Sequence, residues 1–221
     1  MSSAPLFRDR ADAGEQLAQS LSTLLTQLPQ TTTIGKQLIV YALPRGGIPV
    51  AAPVAHKLDC PLEIVVAKKI TTPQNPELAI GAVTSDGQVL WSQQLRWGEK
   101  NVKQREAALH QAQAKAQTQL AELEVGCSQI SPQGAIALLI DDGIATGLTI
   151  TAAARSLRAQ KPAQLWICTP VAPVEIINWL AAECDRLVVL RTPSDFLSVS
   201  RFYLAFPQVT TQEALVYLLN C

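Results

Sequence analysis

The sequence predicts an α/β domain built on a doubly wound, mainly parallel sheet with helices on both faces. Three observations carry that expectation. Apolar runs of strand length alternate with apolar-periodic runs of helix length between about residues 37 and 191; this is the βαβ pattern, whose crossovers are right-handed. The run at residues 135–140 has no charge on either face, as expected of a strand covered on both sides. Two of the runs end in small-residue loops, around Gly46 and Gly47 and again at residues 143–149, and each loop feeds a helix.

Bulk composition narrows the functional classes. The 221 residues are 48 % hydrophobic and only 16 % charged, which supports a substantial core and excludes disorder. Residues 1–221 read as a single domain, with an N-terminal helix at 7–28, a core at about 37–191 and a C-terminal tail from 192. A formal net charge of zero argues against gripping nucleic acid by bulk electrostatics. No stretch approaches the ~18 apolar residues of a membrane span, and the charged N-terminus lacks the apolar region of a secretory signal. The five cysteines (Cys60, Cys127, Cys168, Cys184, Cys221) are scattered without a C-x-x-C. They fit a reducing cytoplasm better than a disulfide framework or a zinc site.

The elements follow in order. Residues 7–28 show helical spacing through Leu17, Leu21, Leu24, Leu25 and Leu28, with Asp9 or Asp12 favouring the first turn. Arg8 and Arg10 read as solvated rather than as ligand contacts. The first strand spans 37–43 and leads through Pro44, Arg45, Gly46 and Gly47 into a helix over Ile48–Leu58 in which Pro49 suits the first turn. Paired glycines let backbone approach a ligand closely, and Arg45 adds a permanent, bidentate positive charge. A buried strand at 62–67 closes on Lys68 and Lys69. A polar stretch punctuated by prolines follows, then an extended pair at 78–83 and 88–91 around a turn at Asp86-Gly87. Residues 99–125 form a long polar helix with a narrow stripe of Val102, Leu109, Ala112, Ala116, Leu120 and Leu123. That seam suits the domain edge or a second subunit, so a homodimer stays open. His56 and His110 have no ligand-type neighbours at metal spacing and read as surface or packing residues. Strands at 164–169 and 186–190 flank a helix through Ile176, Ile177 and Leu180, and a short helix closes the chain at 209–219.

Residues 134–150, GAIALLIDDGIATGLTI, concentrate the chemistry. A small-residue loop opening a helix offers backbone N–H groups and a positive dipole end, which make a phosphate seat. Asp141 and Asp142 beside it repel phosphate but can accept hydroxyl hydrogen bonds or help hold Mg²⁺. Phosphate next to vicinal hydroxyls describes a ribose 5-phosphate. No Gly-Lys-Ser/Thr follows, so an ordinary P-loop is excluded.

An apolar run followed by Asp-Asp-Gly-x-Ala-Thr-Gly-x-Thr resembles the phosphoribosyl pyrophosphate (PRPP) signature of type I phosphoribosyltransferases. The resemblance implies that Ala145, Thr146, Gly147, Leu148 and Thr149 wrap the 5-phosphate. It also implies that Asp141 and Asp142 address the ribose 2- and 3-hydroxyls. Leu148 departs from the pattern, where a small residue or Lys is more usual. Arg45, Gly46 and Gly47 correspond to the family's pyrophosphate loop, which implies a cis peptide before Arg45. Residues 69–79 take the place of a mobile loop or hairpin that closes over the reacting centre. Lys69 is assigned to pyrophosphate ahead of Lys68, and Glu77 reads equally as catalytic or as the start of a strand. The Phe-rich segment at 194–207 suits part of an acceptor hood, with Phe196, Phe202 and Tyr203 as stacking candidates; a satellite hydrophobic cluster is an equal reading. FRDRADAG, YALPRGGIPVA, NPELAIGAV and LLIDDGIATGLT occur in this order. Together they resemble the stand-alone branch known as predicted phosphoribosyltransferases, whose acceptor is unassigned.

The implied activity is transfer of the 5-phosphoribosyl group from PRPP to a nitrogenous, nucleobase-like acceptor with release of pyrophosphate. Mg²⁺ would be held mainly by PRPP, with Asp141 and Asp142 as candidate protein ligands, and Arg45, Lys69, Asp141 and Asp142 would act in catalysis. The competing readings are a non-catalytic regulator that binds PRPP or a nucleotide, and a hydrolase using water as acceptor.

Overall fold

Parallel pairing of five short apolar strands organises this computed structural model, which describes residues 5–28, 36–72, 75–92 and 102–221. The strands are β1 (Leu38–Ala42), β2 (Leu62–Ile64), β6 (Ile136–Ile140), β7 (Gln164–Val171) and β8 (Arg186–Arg191), in the spatial order β2-β1-β6-β7-β8. Three further strands, β3 (Ala67–Thr72), β4 (Asn75–Thr84) and β5 (Val89–Trp91), make a separate antiparallel sheet in that order. The helices are α1 (Arg10–Gln27), α2 (Gly47–Leu58), α3 (Val102–Leu123), α4 (Leu148–Ala159), α5 (Ile177–Ala182) and α6 (Thr211–Leu219).

The main sheet is covered on both faces, which explains its uninterrupted apolar strands. Alternate residues go to opposite layers. Val40, Ala42, Leu138, Ile140, Trp166 and Cys168 pack with residues of α1, α2 and α6. Ile39, Tyr41, Ala137, Leu139, Leu165 and Ile167 pack with residues of α4 and α5. Every residue of β6 is buried. The helix ends follow ordinary capping chemistry. Asp9 accepts the Asp12 N–H at 2.9 Å to start α1, and Thr210 and Glu213 form a reciprocal capping box at α6.

Several expectations need correction. The strand expected at 62–67 is divided between two sheets. β2 stops at Ile64, the Val65 N–H still donates to the Ala42 carbonyl at 3.1 Å, and β3 begins at Ala67 in the second sheet. The segment at 69–79, expected as a mobile loop or hairpin, takes the hairpin form in its described residues, with β3 and β4 paired antiparallel. Ile70 and Ile80 bury against Ala108 and Ala112 of α3, and that apolar contact holds the hairpin in extended form. The side chain of Glu77 lies outside the described residues. The buried stripe of α3 is also rotated from the expected one: Ala108, Ala112, Ala116, Gln119 and Leu123 face inward, while Val102 is 53 % exposed. The helix therefore packs on the domain's own second sheet. His56 and His110 are both exposed. Among the described residues no helix is long and apolar enough to cross a membrane.

Helices α1 and α2 meet almost backbone to backbone. A Cβ placed on Gly14 would lie 2.5 Å from the Val50 carbonyl oxygen and 3.0 Å from Pro53 Cγ. An alanine in mid-helix ordinarily gains up to ~1 kcal/mol over glycine, but here it must push two helices apart. Gly14→Ala is expected to destabilise the fold by ~1–3 kcal/mol, the usual cost of overpacking. Denaturant unfolding measures this, and a stabilised variant would refute the close contact.

Candidate functional site

The strand order reverses between β1 and β6. The chain leaves β1 towards β2 on one side and leaves β6 towards β7 on the other, so their loops part at the carboxyl ends, where open α/β sheets form their ligand crevice. Ladder bonding continues past the strands: the Leu43 N–H donates to the Ile140 carbonyl at 2.8 Å. This brings Arg45–Gly47 beside Asp141 and Asp142. The Pro44–Arg45 peptide is cis, as the resemblance implied. A Cβ on Gly46 would overlap the Asp142 carboxylate, and one on Gly47 would lie 2.8 Å from the Ile140 carbonyl oxygen. Glycine at these two positions is thus a requirement of close approach between the loops.

The aspartate pair is held in place by its surroundings. Asp141 Oδ1 accepts the Asp142 N–H at 2.8 Å. Asp142 Oδ2 accepts Arg10 Nε–H at 2.7 Å, in an ion pair whose side chains are 10 % and 14 % exposed. The Tyr203 hydroxyl donates to the Asp142 carbonyl at 2.5 Å. Burial pushes the Asp141 carboxyl well above the usual carboxylate range, and the neighbouring Asp142 charge raises it further. Burial also raises Asp142, against the opposing pull of the Arg10 guanidinium.

Beyond the aspartates, residues 143–147 form an open turn. Gly143 packs against Val199 and Ile144 is buried, but Ala145 and Thr146 are exposed. Gly147 has φ +76° and lies against the Trp179 ring, so both its backbone conformation and its neighbour exclude a side chain. No side chain caps α4. Among the described residues none accepts a hydrogen bond from the N–H groups of Ala145, Thr146, Gly147, Leu148 or Thr149. These donors, at the positive end of α4, suit an anion. The Leu148 side chain is buried with Ala82 and Ala152. Its departure from the family pattern therefore anchors the helix start and leaves a seat built from backbone.

Three cations border the crevice. Arg45 Nη1 lies 3.4 Å from Thr211 Oγ1. Lys68 and Lys69 are neighbours on β3 and point to opposite sides. Lys68 is half-buried, and burial together with the Arg45 and Lys115 charges lowers its pKa. Lys69 is exposed, and its charge acts on Asp141.

Two expectations about the site are corrected. Arg10 is buried at the aspartate pair rather than solvated, because Asp142 and the Pro207 carbonyl (2.7 Å) take its hydrogen bonds and its guanidinium lies 3.6 Å over the Phe206 ring. A signal for this was present: a cation at the first residue of a helix sits at the unfavourable end of the dipole unless something pairs with it. Phe202 and Tyr203, offered as stacking surfaces, are 3 % and 5 % exposed. They pack with Phe7, Ala13 and Val171, while Phe196 is half-buried against Phe202 with centroids 5.2 Å apart. Phe202 and Tyr203 belong to a satellite cluster, because their ring faces are spent on neighbouring side chains.

No cluster of three or more His, Cys, Asp or Glu suited to a metal occurs among the described residues. The two aspartates fit Mg²⁺ only in the way that ion usually binds, through one or two carboxylates plus phosphate oxygens of a ligand.

A family model described as a phosphoribosyl transferase domain matches residues 9–175. Two provisionally named phosphoribosyl transferases of Mycobacterium tuberculosis, from strains CDC 1551 and H37Rv, are each 36 % identical over 214 residues. The match covers 96 % of this chain and 46 % of theirs, so the chain spans about half the length of these relatives. A crystal structure from Thermus thermophilus superposes with a TM-score of 0.77 at 31 % identity, covering 97 % of this chain and 98 % of the other. A Neisseria gonorrhoeae protein with bound ppGpp shares the fold at a TM-score of 0.50 and 11 % identity, with 100 % and 97 % coverage.

The raised carboxyls have a consequence for stability. A proton held more tightly in the folded chain makes ionisation favour unfolding. Stability is therefore fully present below the unfolded pKa of ~3.9 and falls as pH rises through the folded value. Asp141→Asn keeps the oxygen that accepts the Asp142 N–H and removes the charge. Its melting temperature is expected to exceed that of the wild type by a few degrees at pH 7, with the gap closing at pH 3–4. A variant less stable at pH 7 would contradict the assignment.

Proposed function

The chain belongs to the phosphoribosyl transferase domain family, and from that premise we propose that it transfers the 5-phosphoribosyl group of PRPP to a nitrogenous, nucleobase-like acceptor, releasing pyrophosphate. The observation that carries this reading is the juxtaposition of the Arg45–Gly47 loop and the Asp141–Asp142 pair beside amides at the start of α4 that have no acceptor among the described residues.

In this reading the amides of residues 145–149 hold the 5-phosphate. Asp141 and Asp142 accept the two ribose hydroxyls, and the Asp142 carboxylate favours the positive charge that grows on the ring as the C1–oxygen bond to pyrophosphate breaks. Arg45, Lys69 and the Gly46 amide face the departing pyrophosphate, while the Gly47 N–H is held by the Leu43 carbonyl at 3.1 Å. The new C1–nitrogen bond forms as that bond is lost, and the acceptor's proton leaves to solvent or to a nearby carboxylate. Mg²⁺, when bound with PRPP, supplies further positive charge to the pyrophosphate oxygens. The acceptor is not stacked on Phe202 or Tyr203, whose faces are covered. The reading is one of small-molecule chemistry: a net charge of zero gives no support for direct binding to nucleic acid. Five unpaired cysteines fit a reducing compartment such as the cytoplasm.

Incubation with PRPP, Mg²⁺ and a panel of nucleobases tests the proposal by pyrophosphate release and by ribosylated product. Tight PRPP binding without pyrophosphate release would identify a sensor, and release without ribosylated product would identify a hydrolase. Asp142→Asn is expected to weaken PRPP binding or turnover by ~1–3 kcal/mol, the range for a lost charged hydrogen bond. Arg45→Ala is expected to slow turnover more than it weakens ribose 5-phosphate binding; equal losses would contradict a selective pyrophosphate role.

A further inference from the structure

We infer that Arg10, supplied by the N-terminal helix, is a positioning residue that locks the Asp142 carboxylate in the orientation that reads the sugar hydroxyls. The inference rests on the functional reading above and adds a residue to it.

The guanidinium is engaged on three sides. Nε–H donates to Asp142 Oδ2 at 2.7 Å, Nη1–H donates to the Pro207 carbonyl at 2.7 Å, and the carbon centre lies 3.6 Å over the Phe206 ring. A planar fork can make these contacts together, whereas an ammonium on a flexible stem cannot. Asp142 is confined from the other side as well. Its carboxylate abuts the Cα of Gly46 so closely that a Cβ there would overlap it, and Tyr203 holds its carbonyl at 2.5 Å. Both the main chain and the side chain of Asp142 are therefore fixed before any ligand arrives. One oxygen of each aspartate is committed internally, Asp141 Oδ1 to the Asp142 N–H and Asp142 Oδ2 to Arg10. The two carboxyls also interact with each other, so the pair is oriented as a unit. Orientation set in advance spares the ligand that ordering cost.

A purely structural staple between the chain ends would contain the same ion pair, so the deciding measurement is hydroxyl discrimination. Calorimetry on the wild-type chain should show ribose 5-phosphate binding roughly ten-fold or more tightly than its 2-deoxy or 3-deoxy analogue, the worth of one charged hydrogen bond. In Arg10→Gln the preference for the hydroxyl read by Asp142 is expected to collapse to within about two-fold, and in Arg10→Lys to be intermediate. In an Asp142→Asn background, Arg10→Gln should lower that preference no further. A structural staple would weaken all three sugars alike and leave the ratios unchanged. Unchanged ratios in Arg10→Gln, or in Arg10→Lys should the glutamine variant fail to fold, would overturn the role of Arg10 alone. A wild-type chain that binds none of the sugars, or binds all three equally, would overturn the functional reading beneath it.

Discussion

The parallel pairing of β1 with β6 is the constraint on which the site depends. Ala42 sits opposite Ile140, and the ladder runs one bond further, from the Leu43 N–H to the Ile140 carbonyl. Two loops separated by nearly a hundred residues are thereby brought into contact, with Gly46 and Gly47 on one and Asp141 and Asp142 on the other. Because β1 and β6 continue to opposite sides of the sheet, neither loop is covered by its own crossover. A slip of the register by one residue would exchange the faces of β6 and draw the aspartates away from the glycines. The burial of every residue in β6 holds that register.

The cost of the arrangement is electrostatic. Two adjacent carboxyls are taken partly out of water with a single paired guanidinium, and burial raises both. A fold selected only for stability would place amides here. Such strain is expected where charge serves a ligand. The cations at the rim are divided in a way the adjacent lysines do not suggest. Lys68 looks towards Arg45 and Lys115, and Lys69 acts on Asp141. Strand alternation thus distributes two neighbouring charges over two sides of one crevice.

The ends of the chain close the structure around the same point. Phe7 bridges to Tyr203, the Leu204 N–H donates to the Phe7 carbonyl at 2.8 Å, and the Ala205 N–H donates to the Arg8 carbonyl at 2.8 Å. Immediately beside this knot, Arg10 and Tyr203 take hold of Asp142. The aromatic residues of the C-terminal segment therefore support the aspartate loop from behind, which accounts for their burial and for their poor fit to a stacking role. Trp179 supports the neighbouring turn by filling the space beside Gly147.

The sequence by itself determined the strand runs and the two small-residue loops that follow them, because each is written locally. Uncharged strand runs, residues 141–149, and Arg45 followed by two glycines need no knowledge of distant contacts. What it could not determine depended on residues far apart in the chain. Arg10 reads as a solvated helix-start charge until Asp142, 132 residues away, is seen beside it. The Phe-rich segment reads equally as hood or as cluster until Phe7 and Val171 are found against it. Residues 62–67 read as one strand because apolar runs look alike in either sheet, and the break at Ile64 is set by the length of the β1 edge. Periodicity and turn chemistry are properties of a segment, whereas the partner of a buried charge or ring is a property of the packed whole, and only the tertiary structure decides it.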